Sequence, residues 1–411
     1  MRVLSVNTFD LEGGAARAAY RLHKALLSQG MDSLMLVQFK SSDDFTVVGP
    51  QTPLKKLLGK LRFFVDSLPV RFYSKRGKNP FSACWVPFSD LVYKINVLKP
   101  DVVHLHWVAG GILRIEDLVK IKVPIVWSLH DNWGFTGGCH IMWECDRYKQ
   151  SCGACPRLAS IDENDLSRRI WFRKKNVFSK LPTIKIVALS KWLTYSARQS
   201  SLFKNHEVIC LPNPINTELF SPFDKYQARV LFNLPKEKKL IAFGAMNATS
   251  DINKGFKELS DALNYLSSDY ELVVFGASKP QTSQGFKQRV HYLGYLNDDV
   301  SLRILYNAAD VTVVPSLQEA FGQTASESMS CGTPVVAFGA TGLLDIVDHL
   351  ITGYLAKPFD SQDLANGINW ILENENSEQL SRSSRNKVMR DFDSNIVSKK
   401  YIELYKSILP R

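Results

Sequence analysis

The run VTVVPSLQEAFGQTASESMSCGTPVVA, residues 311–337, decides the fold. Val311 to Pro315 is a short β-branched run of the kind that fills a strand buried on both faces. A helix is predicted from about Gln323, and Pro334 to Ala337 opens a second buried strand. Strand, helix and strand in this order form the repeating unit of a parallel sheet covered by helices.

The same rhythm extends outward in both directions. In the second half it predicts strands at Leu240 to Gly244, Glu271 to Phe275, Val290 to Tyr295 and Tyr354 to Ala356, with helices at Phe256 to Leu266 and Leu364 to Leu372. In the first half it predicts strands at Arg2 to Asn7, Ser33 to Gln38, Asp101 to Trp107, Ile125 to His130, Ile184 to Leu189 and Glu207 to Leu211. A chain of 411 residues exceeds what one core usually organises, so two domains are expected. The prolines of Leu211-Pro212-Asn213-Pro214 interrupt both helix and strand and mark the hinge. The expected division is 1–212 and 213–411, each domain doubly wound. Ser377 to Leu409 reads as terminal helices, the last of which can reach back to the first domain.

Composition narrows the class. No run of about 18 apolar residues is present, and Met1 to Val6 reads as a first strand in place of a signal peptide, so a cytoplasmic protein is expected. The net charge of +11 suits an acidic partner. Much of the excess sits in segment 54–78, where Lys55, Lys56, Lys60, Arg62, Arg71, Lys75, Arg76 and Lys78 face only Asp66. No nucleic-acid module accompanies that charge, and nucleic acid is not expected as a partner. A nicotinamide enzyme would need a G-x-G-x-x-G loop, and Gly13-Gly14 after the first strand does not supply one.

Within the opening run, Glu319 and Glu327 are separated by seven residues. Ligands of open α/β sheets bind beyond the carboxyl ends of the strands, where the next helix offers free N–H groups. The amides of Phe321, Gly322, Gln323 and Thr324 lie there and suit a phosphate. Glu319 stays on the loop while Glu327 falls one turn into the helix, so the two carboxylates reach different parts of one ligand. Carboxylates only accept hydrogen bonds, which matches sugar hydroxyls. Taken alone, the pair also fits a solvated helix start.

Glu319 to Glu327, continued by Cys331-Gly332-Thr333-Pro334-Val335-Val336, resembles the signature of retaining glycosyltransferase family 4. The likeness extends to Gly13-Gly14, to Asp101-Val102-Val103-His104-Leu105-His106, to Leu129-His130-Asp131, to Asn213-Pro214-Ile215-Asn216 and to Lys254-Gly255. It implies the GT-B fold, two Rossmann-like doubly wound domains facing a central cleft. It also implies transfer of a hexose-type sugar, with retention, from a nucleotide-diphosphate sugar to a glycan or polyprenyl-linked glycan, as in bacterial surface polysaccharide synthesis.

Carried over by position, the resemblance implies that Glu327 holds the donor ribose and Glu319 the transferred sugar. Lys254 would neutralise the diphosphate with the amides around Gly322, and His130 would meet the sugar from the other domain. No further cofactor is implied for catalysis. One departure stands out, because the family usually has an arginine where this chain has Ala245. The clamp thereby loses a bidentate donor. That leaves a cation beside Lys254, a different hold on the donor, or an inactive chain. A sugar-nucleotide epimerase or phosphorylase on the same fold is the rival reading, and a non-catalytic nucleic-acid- or membrane-binding protein is a further one.

Two features fall outside this scheme. Cys139, Cys145, Cys152 and Cys155, within the loop 139–156, place four thiols on a short stretch and read either as a structural zinc knuckle or as four reduced thiols. In segment 54–78, Leu57, Leu58, Leu61, Phe64, Val65 and Leu68 alternate with the cations. That mixture reads either as an interfacial helix on anionic lipid, on the inner face of the plasma membrane, or as a solvated helix on its own domain.

Overall fold

Val3, Leu4 and Val6 are wholly buried within the first sheet, Val3 beneath Leu22 and Leu26 of a covering helix. The computed structural model describes residues 1–181, 184–244, 246–278 and 286–409. These form two units, Met1–Pro212 with Val397–Arg411, and Asn213–Ile396.

The first unit is built on seven strands: β1 (Arg2–Phe9), β2 (Asp32–Phe39), β3 (Val47–Val48), β4 (Val102–Leu105), β5 (Ile125–Leu129), β6 (Ile184–Ala188) and β7 (Val208–Cys210). Their order is β3-β2-β1-β4-β5-β6-β7. β1 pairs in parallel with β2, Val3 opposite Ser33, and with β4, Val3 opposite Val102. The winding therefore reverses between β1 and β4. Only β3, two residues long, has no counterpart in the sequence expectation, being too short to show a period.

The second unit repeats the plan with six strands: β8 (Leu240–Gly244), β9 (Glu271–Phe275), β10 (Arg289–Tyr292), β11 (Val311–Val314), β12 (Val335–Phe338) and β13 (Gly353–Ala356). They run β10-β9-β8-β11-β12-β13, all parallel, with the reversal between β8 and β11. Ile241, Phe243, Val311, Val313 and Val336 pack with Leu259 and Leu364 from the covering helices.

The last helix, Ser394–Ile408, belongs to the first unit from Val397 onward, so the second unit ends at Ile396 and not at the chain end. The cause is an apolar stripe at four-residue spacing: Val397, Tyr401 and Tyr405 pack on Val3, Leu22, Val102 and Val126. Both tyrosine hydroxyls find polar partners, Tyr405 at 2.7 Å from His104 Nδ1 and Tyr401 at 3.2 Å from Ser128 Oγ.

Helix Pro53–Arg71 starts on Thr52, whose hydroxyl accepts the Lys55 N–H at 3.3 Å, with proline in the first turn. It is fastened by Arg62, whose guanidinium donates to the carbonyls of Gly111, Pro87 and Val86. Gly59, Asp66 and Val70 are buried, while Leu54, Leu57, Leu58, Leu61 and Phe64 are exposed. Among the described residues, no helix is long and apolar enough to cross a membrane.

Candidate active site

In the second unit the loops that leave β8 and β11 are laced together. Asp251 accepts the N–H of Asn253, the Asn253 carbonyl accepts from Leu317 N at 2.9 Å, and Asn253 Nδ2 donates to the Gln318 carbonyl at 2.8 Å. Gly255, at φ +70°, presses on the end of β11 so closely that a Cβ there would lie 1.8 Å from the Pro315 carbonyl oxygen. This docking brings Lys254 Nζ to 2.8 Å from Glu319 Oε1. Burial pulls the Lys254 ammonium down, but the carboxylate outweighs it and holds the group above the ordinary lysine value. Ala245, where an arginine is missing, lies outside the described residues.

Past Glu319 the chain enters the helix Gln323–Ser330 through Gly322, which sits at φ +115° and where a Cβ would meet Leu343 at 2.8 Å. Phe321 is buried edge-on against Phe392. Gln323 Nε2 is buried with no hydrogen-bond partner among the described residues, and Thr324 follows in the first helical turn. Glu327, one turn in, is 5% exposed and accepts the Tyr306 hydroxyl at 2.9 Å. Glu319 is steadied from a third loop: its N–H donates to Thr341 Oγ1 at 3.0 Å and its carbonyl accepts from Gly342 N at 2.9 Å. Thr341 stands at φ +53°, a left-handed conformation that costs a β-branched residue energy. Sequence reasoning found neither Tyr306 nor Thr341, since a buried hydroxyl partner leaves no spacing signal.

In the first unit the glycine loop and the histidines share the carboxyl edge of the sheet. Gly13 is the N-cap of helix Gly14–Ser28, which follows β1. His106 follows β4 and His130 follows β5, and their rings meet, His106 Nδ1 at 3.0 Å from His130 Nε2. Burial pushes His130 down to about 4, His104 to about 3 and His106 well below the usual histidine range. Asp131 is gripped by Trp107 Nε1 at 2.9 Å, His140 Nδ1 at 2.6 Å and the Trp133 N–H at 2.7 Å. His106, Trp107, Trp127, His130, Asp131 and His140 line one small pocket. The structure thus joins Lys254 to Glu319 in one unit and His130 to His106 in the other.

Residues 12–219 match the description Glycosyltransferase Family 4, and residues 229–387 match Glycosyl transferases group 1. The chain belongs to glycosyltransferase family 4. An uncharacterized glycosyltransferase of Methanocaldococcus jannaschii is 32% identical over 352 residues, 80% of this chain and 82% of the relative. The putative colanic acid biosynthesis glycosyl transferase WcaC of Escherichia coli is 24% identical over 82% of this chain and 83% of its own. Among solved structures, Anabaena HepE in complex with UDP and glucose superimposes with a TM-score of 0.66 at 17% identity, covering 99% of this chain and all of its own. Each parallel-sheet unit is that of a GT-B glycosyltransferase.

In this family 4 chain the cysteine loop forms its own small hollow, lined by Cys139, Cys145, Cys152 and Cys155 with Thr136 and Arg147. All four thiols are free. Cys152, Gly153 and Ala154 all take positive φ, and Cys152 Sγ accepts the Gly137 N–H at 3.2 Å. Burial pushes the Cys152 thiol up to about 12 and raises those of Cys139 and Cys155. Beside them Lys174 is fully buried, its ammonium bonded to the carbonyls of Trp133 and Thr136. Among the described residues, no three His, Cys, Asp or Glu side chains stand together in a metal-holding arrangement.

Proposed function

We propose that this family 4 glycosyltransferase moves a hexose-type sugar, with retention, from a nucleotide-diphosphate sugar to a glycan or polyprenyl-linked glycan acceptor in the synthesis of a bacterial surface polysaccharide. The observation that carries the proposal is the meeting of Lys254 and Glu319 where the winding of the second sheet reverses, the place at which open α/β sheets take ligands. Cleaving the bond between sugar and diphosphate builds negative charge on the leaving phosphate. Lys254 and the N–H groups opening helix Gln323–Ser330 are suited to receive it, and the unpartnered Gln323 amide is one more donor close by. Glu319 would then turn to the sugar hydroxyls and Glu327, steadied by Tyr306, to the ribose. His130 would contribute a hydrogen bond to the transferred sugar. A name such as that of WcaC, and UDP with glucose in HepE, agree with this chemistry.

Two further readings accompany it. The exposed leucines and lysines of helix Pro53–Arg71 suit the anionic membrane on which a lipid-linked acceptor would reside. The four-thiol hollow suits a structural zinc ion, because four cysteines of one short loop line the same small space. Four thiolates would fill the coordination sphere, so such an ion would fold the loop and take no part in transfer.

The test is a thermal-shift screen against UDP-, GDP-, ADP- and dTDP-sugars, repeated with Glu327→Gln, which keeps an acceptor for Tyr306. One nucleotide class should stabilise the protein, and the substitution should weaken that donor about tenfold or more, as loss of a charged acceptor does. An equal shift in both proteins would remove Glu327 from the donor site; no shift with any donor would remove the donor site itself.

A further inference from the structure

His106 is 3% exposed and held from several sides. Its N–H donates to the Val6 carbonyl at 2.9 Å, its carbonyl accepts from Trp127 Nε1 at 3.2 Å, and its ring lies against His104 with centroids 4.0 Å apart. Its Nδ1 is 3.0 Å from His130 Nε2, yet its own Nε2 is buried and has no partner among the described residues. That asymmetry selects one arrangement of protons.

Both rings are driven neutral by burial, so each carries a single N–H and the contact between them holds one proton. Were His130 the donor, His106 would keep its proton on Nε2 and strand a buried N–H, a rarer defect than an unused lone pair. His106 therefore donates from Nδ1 and His130 accepts at Nε2. The His130 proton is then on Nδ1, the other edge of a half-buried ring that lines the same pocket as Trp107, Asp131 and His140.

We propose that His106 is a positioning residue that locks His130 as the Nδ1–H tautomer, so that His130 meets its ligand as a hydrogen-bond donor directed at a sugar hydroxyl. The reading of His130 as a sugar contact is the one proposed above; the tautomer itself does not depend on it. The arrangement repeats a familiar division of labour, in which a buried partner fixes the ring that touches substrate without touching it.

The experiment is 15N NMR of the full chain labelled at histidine, with His130→Gln identifying the His130 signals. His130 should show a protonated Nδ1 and a bare Nε2. In His106→Asn, whose amide N–H can stand where Nδ1–H stands, this should persist. In His106→Gln, whose amide reaches the Nε2 position instead, it should be lost. In sugar transfer, His106→Gln should lower kcat about tenfold or more with little change in donor KM, His106→Asn should restore most of it, and His106→Gln/His130→Gln should be no worse than His130→Gln alone. A proton on His130 Nε2 in the unaltered protein would overturn the proposal, and so would equal kcat values for the Asn and Gln variants. Failure of every donor to support transfer would instead strike the functional reading, leaving the tautomer to be decided by the spectra.

Discussion

Lys254 and Glu319 lie 2.8 Å apart with about a quarter and a fifth of their side chains exposed, 24% and 19%. Removing one member of such a pair strands the other, whereas removing both does not. Lys254→Ala should therefore lower turnover by about a hundredfold, the scale of losing one charge stabiliser of a leaving group. It should also lower the melting temperature, and Lys254→Ala/Glu319→Ala should recover part of that stability and none of the activity. Kinetics and thermal melts on the unaltered protein and the two variants decide it; full activity in the single variant would make the lysine structural. Because the folded ammonium titrates above its unfolded value, the stability it contributes is present below the ordinary lysine range near pH 10.4 and is lost only as pH rises through the higher folded value. Neutral buffers leave the pair intact. The two glutamates were legible from spacing alone, since helix geometry places Glu327 one turn beyond Gln323. The partners were not: Tyr306 lies in the helix before β11 and Thr341 after β12, and only the fold brings their hydroxyls to Glu327 and Glu319.

At the scale of elements, strands buried on both faces announce themselves as Val- and Ile-rich runs, and β8, β9 and β11 stand within a residue of their expected limits. Helix ends and the fate of the last helix depend on capping and on a distant partner surface. Helix Phe256–Leu263 stops before the expected Leu266, and Tyr405 reaches His104 across 301 residues of sequence. In the cysteine loop and in helix Pro53–Arg71 the chemistry was readable but the geometry was not. For the cysteine loop, metal analysis of purified protein should find about one zinc per chain, and Cys152→Ser should lose it together with several degrees of melting temperature. Metal-free protein of unchanged melting temperature would leave four packed thiols. For helix Pro53–Arg71, sedimentation with anionic vesicles should weaken at high salt, and Leu57→Ser with Leu61→Ser should weaken it further without altering the fold, since both side chains are exposed. Equal binding to neutral vesicles would remove the charge argument.

Across the whole molecule the ionisable groups are unevenly distributed, and the imbalance has a measurable result. In the first unit burial keeps neutral the rings of His23, held by the Ser33 and Thr46 hydroxyls at 2.8 Å each, of His104 on β4, of His106 just after it, and of the half-buried His130 just after β5. Burial holds His23 and His130 at about 4 and His104 at about 3. In the unfolded chain the same rings titrate near 6.5. Between those values the unfolded state binds protons that the folded state refuses, so stability is complete above about pH 6.5 and falls as pH drops toward the folded values. Each histidine contributes a slope of about 1.4 kcal/mol per pH unit in that window. All tryptophans except Trp370 lie in the first unit, so their fluorescence follows that unit in urea. The midpoint should fall steeply from pH 6.5 to 5, and His23→Asn, which can keep one hydroxyl contact but cannot titrate, should make the fall shallower by about one proton. A midpoint independent of pH over this range would mean that the rings are already protonated in the fold. That result would also remove the neutral pair on which the shared proton of His106 and His130 depends.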